Sequence, residues 1–263
     1  MLGGLIGFNN NQSSDWGENL LNTVASNTIR HLFTRSESVE VAVRCHPSSK
    51  LLQGSIDSFK MNGRGLVIRR QFRTEEMSFE TDAVSIDFGS VLQGKLALKQ
   101  QTQAIAQVKL SQGDLNDAFS ADLVRKRLEN LTQPELTEIS GGQPVSFTDV
   151  NLELLPNNFI KLFAKAHLPQ GVIPVSLSCC LDIEKRRRIL FQDAQFLSEG
   201  IPEELRETSE KLTMALVEIL NNMVDLDRFN LDGVMLRLNR LETEGKFLIF
   251  SGYAQIERIP KTG

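Results

Sequence analysis

Three cysteines in 263 residues, with no paired spacing, are too few for a disulfide framework and point to a reducing, cytosolic compartment. No apolar run approaches the ~20 residues that a membrane-spanning helix needs. The opening MLGGLIGFNNN lacks the basic n-region and small-residue cleavage site of an export signal. Residues 1–16 therefore read as a disordered tail, with a short second tail at 261–263. Catalytic signatures are missing too: there is no G-x-S-x-G, S-x-x-K or H-E-x-x-H. Cys45-His46 and Cys179-Cys180 are neighbours that a strand points to opposite faces, and neither C-x-x-C nor H-x-x-x-H spacing exists. Gly63-Arg64-Gly65 lacks the further glycines and the helix of a dinucleotide site. The expectation is a non-enzymatic protein without metal or cofactor. A net charge of −4 and a pI near 5.6 exclude bulk nucleic-acid binding, and no aromatic is interleaved with the basic runs for stacking on bases.

What is present is one long helical pattern. Pro202 suits a first helical position, Glu203 and Glu204 suit the positive end of the helix dipole, and Leu205, Leu212, Leu216, Ile219 and Met223 recur at three- and four-residue steps. Met214, Ala215, Val217, Leu220 and Val224 widen the apolar stripe, which predicts a helix over 202–224 enclosed by other elements. Most of the remaining chain alternates with period two. Val39 to Val43, Leu51 to Leu66, Val84 to Phe88, Leu96 to Leu98, Ala104 to Leu110, Leu152 to Leu168, Val175 to Ile183, Ile189 to Leu197 and Val234 to Ile256 all read as strands. The apolar phase slips between Ile56 and Phe59, which predicts a bulge. Further helices are expected at Asn19 to Phe33, with Asp15 as N-cap, and at Asp114 to Leu131 as one helix or two short ones. The fold class is α+β: a strongly curved antiparallel sheet wrapped around the long helix, with shorter accessory helices, in one domain over 17–260. Ser140 to Pro144 is the connector at which two halves would meet.

Two features carry candidate chemistry, each with two readings. Ala104 and Ala106, then Ala164 and Ala166, occupy inward positions of strands where larger residues would fill more space. Either they let the helix approach closely, or they line an apolar groove with Leu212, Leu216, Ile219, Leu220 and Met223. Burying ~10 methylenes of an acyl chain at ~0.8 kcal/mol each gives ~8 kcal/mol before ordering costs, so such a groove needs no polar motif. The basic run Lys185-Arg186-Arg187-Arg188 stands at a hairpin tip, and Arg64, Arg69, Arg70 and Arg73 cluster near another strand end. These are either solvated tips or contacts to anionic membrane at roughly 1 kcal/mol per cation.

The segments SSKLLQGSIDSFKMNGRGLVIR, FETDAVSIDFGSVLQGKLALKQ and NMVDLDRFNLDGVMLRLNRLETEGKFLIFSGYAQIERIP resemble the cyanobacterial branch of the LmeA-like phospholipid-binding family. The likeness spans roughly Gly17 to Pro260. It implies a fold related to the tubular lipid-binding (TULIP) superfamily, with phospholipid in an apolar groove between sheet and helix. The partner so implied is phospholipid; the basic tips add an anionic membrane surface, expected to be internal or cytosol-facing because no export signal is seen. The alternative is a fully packed structural or interaction module with no ligand.

Overall fold

The structure is a computed structural model and describes residues 12–228 and 233–259. In chain order come α1 (Gln12–Arg30), β1 (Ser38–Arg44), α2 (Ser49–Leu52), β2 (Ser55–Ile56), β3 (Ser58–Ile68), β4 (Phe72–Thr81), β5 (Val84–Ser85), α3 (Phe88–Leu92) and β6 (Thr102–Ser111). There follow α4 (Gln112–Ser120), α5 (Asp122–Arg125), α6 (Pro134–Ile139), β7 (Ser146–Leu154), β8 (Phe159–Leu168), β9 (Gly171–Glu184) and β10 (Arg188–Phe196). The chain ends with α7 (Glu203–Met223), a short 3-10 turn (Leu226–Arg228), β11 (Val234–Glu244) and β12 (Phe247–Ile256). Strand outweighs helix, and the fold is α+β.

The strands form a large sheet of order β1-β3-β4-β6-β12-β11 and a small sheet of order β10-β9-β8-β7, both antiparallel, plus a β2-β5 ladder. The connector at 140–144 precedes the small sheet, but the last hairpin returns to the large one. Period-two alternation fixes which residues share a face of the large sheet. Register pairs Met61 with Phe79, Phe79 with Ala106, Ala106 with Gly252, and Gly252 with Leu238, so these side chains share one inner face. Lys60, Glu80, Ile105, Tyr253 and Arg237 occupy the outer face by the same registers.

The long helix forms where expected, but the sheet is not strongly curled and does not enclose it. α7 buries one stripe, Ser209, Leu212, Thr213, Leu216, Val217, Leu220 and Met223, against β9 and β10, while Met214 on its far side is 40% exposed. Glu207, Glu210, Lys211 and Glu218 are solvent-facing and break the apolar girdle, so the helix is laid on the small sheet. The Ser209 hydroxyl donates to the Pro174 carbonyl at 2.6 Å and fastens it there.

Other expectations need adjustment. The strand expected over Leu51 to Leu66 is α2, β2 and β3, because Asp57 donates its N–H to the Arg44 carbonyl where the apolar phase slips. Leu52-Gln53-Gly54 and Leu92-Gln93-Gly94 each end a short helix at a glycine with φ of +74° and +76°. Leu98 makes an isolated bridge to Ile86, and no strand runs through Leu96. α1 begins at Gln12, so Asp15 lies within it. β4 and α6 had no counterpart in the period reading. α4 and α5 are indeed two helices, and the cap of the first is Ser111 in a capping box with Asp114.

Helix and turn groups close the outward edges of the terminal strands. Asn22 and Glu18 of α1 accept from the N–H groups of Val43 and Cys45 at 2.7 and 2.8 Å. Asn116 of α4 accepts from Leu152 N–H at 2.7 Å and donates to its carbonyl at 3.2 Å, and Asn221 of α7 accepts from Phe191 N–H at 2.7 Å. The edge of β11 receives the small sheet's turns: Leu238 N–H donates to the Arg186 carbonyl, and Asn158 donates to the Leu241 carbonyl and accepts from Thr243 N–H. α4 also reaches the large sheet through Asp114, whose carboxylate meets Arg73 at 3.0 Å. Asn116→Ala should lower stability by about 1–3 kcal/mol, because it strands both backbone groups of Leu152 at an edge. A urea midpoint equal to that of the unaltered protein would contradict this.

Candidate functional site

The inner face of the large sheet is the site candidate. Its β1 side is covered by α1, whose Leu21, Val24 and Ala25 pack into one buried cluster with Val39, Val43 and Met61. At the opposite end Leu241 and Leu248 join the core of the small sheet. Between them Met77, Ala106, Val108, Phe250 and Leu236 are only half-buried. Ala106, Val108 and Phe250 belong to none of the three buried clusters, whereas Met77 packs at the margin of the α1 cluster and Leu236 against Ala104, Ala254 and Ile256. Its floor is low at Ala106 and Gly252. Gly252 has no room for a side chain, since a Cβ there would stand 1.9 Å from the Arg237 carbonyl oxygen at the β11 bulge.

The structure divides the residues expected to line one groove between two places. Ala104 is buried and Ala106 half-buried on β6 in the large sheet. Ala164 and Ala166 lie on β8 and are buried in the small sheet's core, which also takes in Leu212, Leu216, Leu220 and Met223 of α7. Leu212, Leu216 and Leu220 are fully buried. Ile219 and Met223 reach a cavity of about 270 Å³ between α6 and α7, whose wall also carries Arg127, Gln133 and Glu218. That is below the ~300 Å³ at which small-molecule pockets begin, and half its rim is polar. A second cavity, about 280 Å³, opens among Asn62, Arg64, Glu76, Ser78, Gln107 and Lys109 of the large sheet.

The basic residues also divide. Lys185 and Arg186 are the central residues of a β-turn closed by Arg187 N–H donating to the Glu184 carbonyl, with φ of +48° and +60°. Arg69 and Arg70 adopt the same geometry between β3 and β4, with φ of +50° and +64°, and so do Asn157 and Asn158 between β7 and β8. Two positive φ values make these type I′ turns, which favour Asn and Gly. Asn157-Asn158 obeys that preference; Lys-Arg and Arg-Arg hold the left-handed region at roughly 1–2 kcal/mol per residue. Arg187 and Arg188 are not free cations. Arg187 meets Asp227 at 2.6 Å, Arg237 meets the same carboxylate at 2.7 Å, and Arg188 meets Glu184 at 3.1 Å. Arg64 meets Glu76 at 3.5 Å. Among the described residues neither Lys185 nor Arg186 has a carboxylate partner, and the Arg186 guanidinium lies 5.7 Å from the centre of the Tyr253 ring. The side chain of Arg228, a possible mate for Asp225 and Asp227, lies outside the described residues.

The family model for LmeA-like phospholipid-binding proteins matches residues 13–252, nearly the whole chain. The chain belongs to that family. None of the curated proteins compared with it matches. Membership in the LmeA-like family, a lipid-binding family, points to lipid as the ligand. An apolar strip without a polar anchor suits such a ligand. Among the described residues no group of three metal-ligating side chains converges, and no helix is long and apolar enough to cross a membrane. Cys179 is buried on β9, and burial pushes its thiol up to about 12, which leaves it an inert core side chain.

The strip escaped sequence reading because its residues come from β4, β6, β11 and β12, and only register brings them together. Its one signal in the sequence is the short side chain of Ala106, which alternation alone cannot assign to a different sheet from Ala164. The junction beside it carries its own pH signature. Hydrogen bonds from Arg187 and then Arg237 hold the Asp227 carboxyl below the usual carboxylate range. Because the folded value is the lower one, this stabilisation is complete above the unfolded carboxylate range, near about pH 4, and fades as pH falls through the folded value. Asp227→Asn should flatten the acid limb of the stability-versus-pH curve, measured by denaturant titration; an unchanged limb would refute the assignment.

Proposed function

We propose that the protein binds phospholipid non-enzymatically, with the acyl chains laid along the inner face of the large sheet over Met77, Ala106, Val108, Phe250 and Leu236. The observation that carries this reading is the half-buried apolar strip whose central residues, Ala106, Val108 and Phe250, join none of the buried clusters. Family membership supports the ligand class. An open face shields roughly half of each methylene, so ~20 methylenes in two chains contribute ~8 kcal/mol, enough for micromolar binding before ordering costs. In this reading the large sheet with α1 takes the part of the groove that the TULIP resemblance assigned to a sheet around the long helix. The core beneath α7, with Ala164, Ala166, Leu212, Leu216 and Leu220, serves as scaffold, and Ile219 and Met223 border it.

Contact with anionic membrane belongs to the same proposal. Lys185 and Arg186 supply cations at one tip, Arg64, Arg69 and Arg70 at another, while Arg187 and Arg188 contribute through the ion pairs that fix the first tip in place. Three unbonded thiols, Cys45, Cys179 and Cys180, accord with a reducing compartment and a cytosol-facing surface.

The strip and the α7 core separate in one pair of variants. Ala106→Phe should abolish the phospholipid adduct seen by native mass spectrometry with little change in Tm, because Ala106 is only half-buried and belongs to no buried cluster. Ala164→Phe should instead destabilise by about 1–3 kcal/mol through overpacking, while the folded fraction keeps its lipid. A lipid adduct unaffected by Ala106→Phe would move the ligand away from this face.

A further inference from the structure

We propose that Ile105, Tyr253 and Met235, together with the Lys185–Arg186 turn, form the face on which the protein sits against an anionic bilayer. This deepens the phospholipid reading and takes its setting from it, but it uses the opposite side of the large sheet.

Ile105, Tyr253 and Met235 are 60%, 45% and 46% exposed. Register places Ile105 directly opposite Tyr253, and Met235 opposite Gln255, the next residue on Tyr253's face. Three large apolar side chains on neighbouring strands thus make one contiguous patch on a single face, against the usual scatter of surface hydrophobics. The cations stand at its border. Arg186 lies over the Tyr253 ring, Lys185 precedes it in the same turn, and Arg187 and Arg237 share the single carboxylate of Asp227. Across Ile105 on the other side, Glu80 is neutralised by Lys60 at 3.2 Å. Charge at the patch is therefore positive although the chain as a whole is acidic.

Backbone geometry adds an independent argument. The Lys185–Arg186 turn holds two non-glycine residues at positive φ, while the Asn157–Asn158 turn of the same sheet shows the residue type that this geometry prefers. Strain retained at a solvent-exposed tip points to what those side chains meet. A ring with a polar tip, flanked by aliphatic side chains and cations, matches the headgroup layer of a bilayer, where Tyr and basic residues concentrate. The outer face of the small sheet also exposes Phe159 and Phe163, but its Lys165 is spent on Asp149 at 2.8 Å.

The test is co-sedimentation of the full chain with phosphatidylcholine vesicles, with and without phosphatidylglycerol. Binding should require phosphatidylglycerol and weaken with salt. Lys185→Asn with Arg186→Gly should lower vesicle affinity about 30-fold, from roughly fivefold per cation, while Tm holds or rises because the turn is relieved. Ile105→Glu with Met235→Glu should also release the protein from vesicles. Leu52→Glu with Leu92→Glu, at two leucines 71% and 61% exposed elsewhere on the surface, should leave binding unchanged. Undiminished affinity in the turn variant, or loss of binding in the Leu52/Leu92 variant, would overturn the proposal. Native mass spectra of the same samples keep the two readings apart. Lipid carried by a protein that ignores vesicles would overturn docking alone, and vesicle binding without any carried lipid would overturn the inner-face reading alone.

Discussion

The helices of this protein are placed by the need to close sheet edges. An outward strand edge presents unpaired N–H and C=O groups, and side chains of α1, α4 and α7 meet those of β1, β7 and β10. β11 is closed by the turns of the small sheet itself, through the Arg186 carbonyl and Asn158. Those bonds dictate which faces are covered. α7 is held over β9 and β10 by Asn221 and Ser209, α1 is held at the β1 margin, and α4 is held at the sheet ends by Asn116 and Asp114. With the helices held at these margins, Ala106, Val108 and Phe250 in the middle of the large sheet's inner face stay only half-buried and outside the buried clusters of the described residues.

Much of this was legible in the sequence, and the failures have physical causes. β8 alternates cleanly because one of its faces is buried in the small sheet's core, and the helix itself declares both its start and its stripe. β4 was missed because its FRTEEMSFET run mixes charged and apolar residues on both faces, so that period two is blurred. α7 is not enclosed because the solvent-facing charges of Glu207, Lys211 and Glu218 interrupt its apolar girdle. Pairing was the deeper limit. Periodicity says that Ala106 and Ala164 each face inward, but it cannot say that they face different interiors.

The basic runs show the same limit from the other side. Four consecutive cations read as one feature, yet the turn separates them: two stay at the tip, Arg187 binds the small sheet to Asp227 after α7, and Arg188 pairs with Glu184 within the hairpin. Local composition gave the charge, and long-range geometry decided its use. Three type I′ turns of one chain, only one of them built from asparagine, make the basic ones distinguishable from ordinary hairpin tips.

The central claim is that phospholipid lies on the inner face of the large sheet and not beneath α7. The most direct measurement is photocrosslinking with a phospholipid that carries a diazirine in its acyl chain, followed by peptide mapping. The account predicts saturable adducts on the strands holding Met77, Val108 and Phe250. Adducts concentrated on α7 or β8, or labelling that does not saturate, would contradict it.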